Sequence, residues 1–314
     1  MKIALIGIAA AVLSAQVASA ATIGIGSTKG TAVGQMASII SKVVSAKAGG
    51  IELRPKNMGG TQKYIPVVNA NELQFGIANI VQTTMAFENM GLSAGKNYGN
   101  LRLAATLMAF RNGLLVRNDS NIKKISDLRG KRVPSGFKGA PLFSFFFEGM
   151  MANGGVSMKD VKGIPAIGLG QSWGLLKQGK VDVVITAVGA GPTREMNARV
   201  PSGVRFLGFD KSNPVTPKML KGVYYVDLKP SPKFPAIKGP TTTVGYDFML
   251  FTSKDVSNDV VGKVLKAIYE SEKEIKASSP LWTKYSSKGM SKDVGLAYHP
   301  GAKAFYKSVG IWNR

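Results

Sequence analysis

Residues 22–31 read TIGIGSTKGT, and this stretch decides how the rest of the chain is read. Ile23 and Ile25 alternate with small residues, as the end of a buried strand does. The chain then passes through Gly24, Gly26, Ser27, Thr28, Lys29 and Gly30. From Thr31 apolar residues recur at Val33, Met36, Ile39, Ile40, Val43 and Val44, the spacing of an amphipathic helix. A strand, a loop of glycines and hydroxyls and a helix N-terminus leave backbone N–H groups pointing at open space, which suits a carboxylate or a phosphate. Two nucleotide motifs fail here on spacing. Gly24-x-Gly26-x-x-x-Gly30 is one residue too long for a dinucleotide fingerprint, and Lys29 precedes Gly30 where a Walker loop needs Gly-Lys. A tight turn that needs glycine and nothing more is the competing reading, and recurrence of the unit weighs against it.

The unit does recur. Ile51 to Lys56 reads as a strand and Gly59-Gly60-Thr61 as its loop, with Thr61 a good N-cap for a helix through Tyr64, Ile65, Val67 and Val68. Leu73 to Asn79 predicts the next strand, and Ile80 to Met90 the next helix. Further on, Lys131 to Ser135 is a strand and Gly136-Phe137-Lys138-Gly139-Ala140 a second glycine loop. The helix behind it, Leu142 to Phe147, is hydrophobic almost all round and so expected to be buried. Val181 to Thr186 leads into a third loop, Val188-Gly189-Ala190-Gly191-Pro192, with Pro192 suited to a helix first turn. Ser157-x-x-Asp160 has the form of a capping box. Repeated strand–loop–helix units predict a wound α/β sheet with its ligand at the carboxyl ends of the strands. Leu101 to Arg117 is long enough for two strands and a passage between lobes. Asn213 to Pro240 is a proline-dense, loop-rich excursion, and Thr243 to Thr252 is the return strand. Val256 to Ala277 reads as the longest helix.

Length and composition set the frame. A chain of 314 residues suits two domains of about 150 each. Lys2, the apolar run Ile3 to Leu13 and the small-x-small sequence Ala18-Ser19-Ala20 predict a signal peptide over 1–20, cleaved after Ala20. No later segment has 18 consecutive apolar residues, so stable membrane insertion is not expected. The chain has no cysteine, which excludes disulfides, thiol catalysis and cysteine metal sites. Its single histidine, His299, excludes a multi-histidine metal site and is read as structural. No residue set calls for a cofactor or a metal, and no acid–base pair falls in the glycine loops, so an enzyme is not expected. The formal charge of +23 favours anionic ligands or surfaces. The basic residues are dispersed, without a run of five and without aromatic interleaving, which argues against nucleic acid.

Several motifs taken together resemble one family. They are Gly26-Ser27-Thr28-Lys29-Gly30-Thr31, Met58-Gly59-Gly60-Thr61 and Asn71-Glu72-Leu73-Gln74-Phe75-Gly76-Ile77. Then come Ile125 to Val133, Val188-Gly189-Ala190-Gly191-Pro192 and Tyr298-His299-Pro300-Gly301-Ala302. In order and spacing the chain is similar to the TAXI-type solute receptors of TRAP transporters. The resemblance implies a type II periplasmic-binding-protein-like fold, with lobe one built from 21–112 and 245–314 and lobe two from 113–244. It implies a periplasmic receptor that captures a small organic anion and hands it to an ion-driven membrane permease. A receptor for an ABC importer on the same scaffold is the alternative, with an enzyme on that scaffold ranked behind it. The ligand-binding residues implied are Ser27, Thr28, Thr31, Gly60, Thr61 and Asn79 in lobe one, with Ser135, Lys138, Gly139 and Gly189 in lobe two. Gln74 stands where the family usually has aspartate, and Lys138 stands where hydroxyls and glycines are common, which favours a more anionic ligand.

Overall fold

Twenty elements follow one another in the computed structural model, which describes residues 20–29 and 31–314. Gly30, and all of the expected leader except Ala20, lie outside the described residues. The first units are β1 (Ala21–Ser27), α1 (Ala32–Lys47), β2 (Ile51–Asn57), α2 (Thr61–Asn69), β3 (Phe75–Asn79), α3 (Ile80–Phe87) and β4 (Leu101–Arg117). The middle of the chain gives β5 (Arg132–Gly136), α4 (Leu142–Met151), β6 (Lys162–Ala166), α5 (Leu169–Lys177), β7 (Val183–Ala187) and α6 (Gly191–Arg199). After these come β8 (Val204–Phe206), α7 (Val215–Met219), β9 (Tyr224–Leu228) and β10 (Thr241–Ser253), and the chain closes with α8 (Asn258–Tyr269), α9 (Glu272–Ser278) and α10 (Pro300–Ser308).

Two long strands turn this series into a two-lobed α/β fold. In the first lobe the order is β2-β1-β3-β10-β4, parallel among the first three and antiparallel at β10. β10 then changes partner, pairing with β3 over Phe248–Thr252 and with β9 over Thr241–Gly245. β4 does the same: it follows β10 as far as Asn112, takes β7 from Asn112 to Val116 and β8 from Leu115 to Arg117. The expected pair of strands over 101–117 is therefore one strand of 17 residues. An extended backbone needs no break to exchange one neighbour for another, because its N–H and C=O groups point sideways all along it.

The second lobe adds the parallel pair β5-β6. It is fastened to β7 by Asp182, whose carboxylate accepts the Arg132 backbone N–H at 2.8 Å and the Arg132 guanidinium at 2.5 Å. The cores follow the sequence pattern closely. Met36, Ile40, Val43 and Val44 of α1 are fully buried, each contributing roughly 1.5–3 kcal/mol.

Four expectations are corrected. Thr61 is the first helical residue of α2, and Gly60, at φ 151°, is the cap. The helix expected over Val256–Ala277 is two, and α1, with 16 residues, is longer than either. Side chains end α8: Ser271 Oγ donates to Ala267 O at 2.7 Å, Tyr285 to Ile268 O at 3.2 Å and Ser287 to Tyr269 O at 2.6 Å. These bonds take the last carbonyls that a continuing helix would use. α4 is not buried all round, since Phe145 is 37% exposed with Ser144 and Glu148 beside it on the outer face. The proline-dense excursion also contains β9, held by its ladder with β10.

Candidate functional site

The first-lobe loops meet at the carboxyl ends of β1, β2 and β3. Ser27, nearly buried, closes β1 and accepts the Met58 N–H through its carbonyl at 3.1 Å. Asn57 holds the edge together, its Oδ1 accepting from Lys29 N at 3.1 Å and from Gly59 N at 3.4 Å. Thr31 is spent on the helix: its Oγ1 donates to Thr28 O at 2.7 Å and accepts from Gly34 N at 3.3 Å, capping α1. Asn79 likewise caps α3, accepting from Gln82 N at 3.0 Å. Gly60 opens α2 without any side-chain cap, and of its first-turn N–H groups that of Lys63 goes to Gly60 O at 3.0 Å.

Tyr64 lies beneath this edge. It is fully buried, its hydroxyl bonded to Ile77 O and placed 3.1 Å from Thr61 Oγ1. Burial pushes its phenol well above the usual tyrosine range, while the Thr61 and Thr28 hydroxyls beside it pull the other way. Thr28 Oγ1 is buried there without the alignment of a full hydrogen bond. Gly26 is required at this point, since a Cβ would stand 2.5 Å from the Tyr64 ring. Gln74, the departure from the resembled family, joins strands: its Oε1 accepts from Gly24 N at 2.9 Å.

The second-lobe loops are arranged differently. Phe137 is a non-glycine residue at φ 39°, held there because its ring is buried and stacked on Phe147 at 5.6 Å. With Phe137 anchored inward, Lys138 and Gly139 stand exposed at the loop tip. Lys138 forms no ion pair among the described residues. Gly139 gives its N–H to Ile167 O at 3.0 Å, and Ile167 itself is 67% exposed. The half-buried Ser135 packs over β6, near the position a side chain on Gly163 would take. Gly189, at φ 77°, admits the Phe234 ring, which a Cβ would meet at 2.9 Å. None of the second-lobe helices α4, α5 and α6 has a side chain from its N-cap on its first-turn N–H groups. At α5, Gln171 reaches back to the Ile167 N–H at 2.7 Å.

The structure thus gathers the six first-lobe residues along one edge and the four second-lobe residues along another. Among the described residues no hydrogen bond or ion pair joins the two sets. The lobes touch elsewhere, through Lys221 Nζ on Glu88 at 2.5 Å and Gly222 against Ile80. A groove of about 670 Å³ takes in Ser27 and Thr31 but runs along α1 past Lys42 to Trp282, entirely on first-lobe residues. A smaller cavity of about 160 Å³ lies beside α4. Neither is lined from both lobes.

Three residues at these edges were not foreseen. Asn57 and Tyr64 look like a strand end and an apolar helix position in the sequence. Arg111 had a signal, since Arg111-Asn112-Gly113 interrupts the apolar run of 101–117. His299 caps α10, its Nδ1 accepting from Gly301 N at 3.1 Å, and burial pushes its imidazole below the usual histidine range. Among the described residues no group of three His, Asp or Glu is placed to hold a metal. No helix of the described residues is long and apolar enough to cross a membrane.

Residues 21–310 match the family model described as the NMT1-like family, and the chain belongs to that family. Solved structures similar to it include the alkanesulfonate-binding protein SsuA from Xanthomonas axonopodis pv. citri bound to MOPS. That likeness has 16% identity and a TM-score of 0.49, over 83% of this chain and 78% of the other. The amino acid ABC transporter substrate-binding protein AbpA from Streptococcus pneumoniae, bound to L-arginine, gives 14% identity and a TM-score of 0.48, over 81% and 90%. The L-cystine solute receptor of Neisseria gonorrhoeae, unliganded and open, gives 17% identity and a TM-score of 0.43, over 85% and 94%. Likeness at this level is one of outline and decides neither ligand nor partner.

Proposed function

We propose that this NMT1-like protein is a solute-binding receptor that captures a small organic anion between its lobes and delivers it to the membrane permease of an importer. One observation carries the reading. The first-lobe loops end strands joined through β3 to β10, and the second-lobe loops end β7, which pairs with β4, and β5, which is fastened beside β7 by Asp182. Four of the helices behind them (α2, α4, α5 and α6) begin without a capping N-cap side chain. Unmet N–H groups at a helix start favour a carboxylate by about 0.3–1 kcal/mol each, and more when partly buried. A few charge-assisted hydrogen bonds at roughly 1.5–3 kcal/mol each then support micromolar binding after ordering costs. We set the lobe boundaries at 112/113 and 244/245, beside the points where β4 and β10 exchange partners, and take the mature protein to be periplasmic.

The permease has two candidate classes. An ABC importer, driven by ATP, is the partner named for AbpA, and a permease of that class stands first. The order of the glycine motifs supports the second, an ion-driven TRAP permease.

Native protein purified from its own periplasm and analysed by mass spectrometry identifies the solute it carries. An organic acid that co-purifies should, at about a thousand times its Kd, add roughly 4 kcal/mol of stability. For this chain that is a rise in Tm on the order of 10 °C. No carried acid, and no shift above a degree or two across a panel of organic, amino and keto acids, would sink the proposal. Uptake in vesicles that requires ATP supports the ABC partner, and uptake that requires only an ion gradient supports the TRAP partner.

A further inference from the structure

We infer that Arg111, at the waist between the lobes, holds the anionic group of the ligand, with Phe234 as the wall beside it. The inference rests on the receptor reading above and names the group that sets its charge preference. Arg111 lies in β4 one residue before the strand takes up β7. It is paired with Gly245 of β10, which is paired in turn with Tyr224 of β9. Residues paired across a sheet share a face, so Arg111 and Tyr224 stand on one side of it. Gly245 between them has no side chain, and a Cβ there would meet the Tyr224 ring at 2.6 Å. The Arg111 guanidinium carbon lies 5.9 Å from the centre of the Phe234 ring, and Phe234 packs on Gly189 in the loop after β7. That loop is tied to the strand, since Val188 donates its N–H to Arg111 O at 3.0 Å. Arg111 therefore stands beside the Gly189 loop, which the proposed receptor places in its cleft.

What this cluster lacks is a negative charge for Arg111. The side chain is half-buried and carries five N–H donors, yet it makes no ion pair or hydrogen bond with any described residue. Asp247 of β10 is already engaged, by Lys292 and by the Tyr224 hydroxyl at 3.1 Å. Tyr224 offers no charge either: burial and the Asp247 carboxylate push its phenol well above the usual range, although Arg111 pulls the other way. A guanidinium cannot discard its charge, and partial desolvation without a partner is unfavourable. A carboxylate that met its planar fork with two parallel hydrogen bonds would satisfy it. Lys138 differs, being a flexible charge at a loop tip and in full contact with water.

Isothermal titration of the mature chain tests the assignment with three acids and their amides: succinate and succinamate, 2-oxoglutarate and 2-oxoglutaramate, L-glutamate and L-glutamine. Wild type should prefer at least one acid to its amide. Arg111→Met should weaken that acid by at least ~10-fold, the loss of a charged hydrogen bond, and its amide by less than ~3-fold. Should Arg111→Met fail to fold, Arg111→Lys decides, because it keeps the charge over Phe234 but loses the fork. Acid-over-amide preference should narrow in Arg111→Lys, and preference equal to wild type overturns the assignment. A folded Arg111→Met that binds the acid within about twofold of wild type removes Arg111 and leaves the receptor reading standing. Wild type binding none of the three acids overturns the organic-anion reading and this assignment together.

Discussion

The loop edge of the first lobe and that of the second are made of similar residues and have different amounts of bonding left over. On the first lobe, Thr31 and Asn79 are consumed as helix caps, Asn57 takes two loop amides, and Tyr64 fixes the layer beneath. On the second lobe, α4, α5 and α6 start without such caps, while Lys138 and Ile167 stand in solvent. A glycine and hydroxyl loop can therefore be a finished piece of scaffold or an unsatisfied one. Only the unsatisfied kind has donors to offer a ligand without giving up a bond of its own. The first edge is largely bonded to itself, and the helix starts of the second carry no N-cap side chain on their first-turn N–H groups.

The sharpest test of this division is Tyr64→Ala, which removes the layer under the first edge. It should cost about 3–5 kcal/mol, as deletion of a buried aromatic ring does, and lower Tm by on the order of 10 °C. Calorimetry measures it, and a loss below about 1 kcal/mol would mean the first edge is not built on Tyr64.

Asp182→Asn asks whether the second lobe has a comparable staple. The Arg132 hydrogen bonds outweigh burial and hold this carboxylate below its ordinary value, so its stabilisation is present above the unfolded value and lost as pH falls through the folded one. Denaturant titrations should give a gap of about 1.5–3 kcal/mol between wild type and variant, flat at neutral pH. The gap should close only below about pH 4. A gap that closed instead on the alkaline side would contradict the assignment.

Lys138→Met should leave unfolding within about 0.5 kcal/mol of wild type, because the side chain is exposed and unpaired. Its effect should fall on ligand dissociation, faster by roughly tenfold in stopped-flow traces if the charge closes over a bound anion. An unchanged rate would place Lys138 outside the site.

The smallest effect distinguishes cap from ligand contact. Thr31→Ala and Asn79→Ala should each cost about 1 kcal/mol of stability, the worth of a cap, with affinity within about twofold of wild type. The reverse pattern, full stability with weakened binding, would erase the contrast between the two edges.

The strand–loop–helix units were legible because their signals are local. Ile23 and Ile25 alternate, α1 buries Met36, Ile40, Val43 and Val44 among the apolar positions its spacing marks, and the Ser157–Asp160 capping box forms both of its bonds. The break between α8 and α9 was not legible. Ser271 looks like any mid-helix serine until Lys47, more than two hundred residues away in the chain, donates to its Oγ at 2.8 Å. The partner exchange along β4 was hidden for a similar reason, since pairing depends on which strands arrive beside it.

The sequence by itself determined the wound α/β class, the glycine loops at the strand ends and the absence of any thiol or multi-histidine chemistry. These follow from periodicity, from turn residues and from which side chains exist at all. Tertiary structure alone decided which polar groups remain unspent. Thr31, Asn79 and Lys138 read alike as candidate ligand contacts, and Arg111 stood unmarked within the long stretch from Leu101 to Arg117. A hydrogen-bonding group is available to a ligand only when no neighbour has taken it, and in a folded chain those neighbours are brought together from distant parts of the sequence.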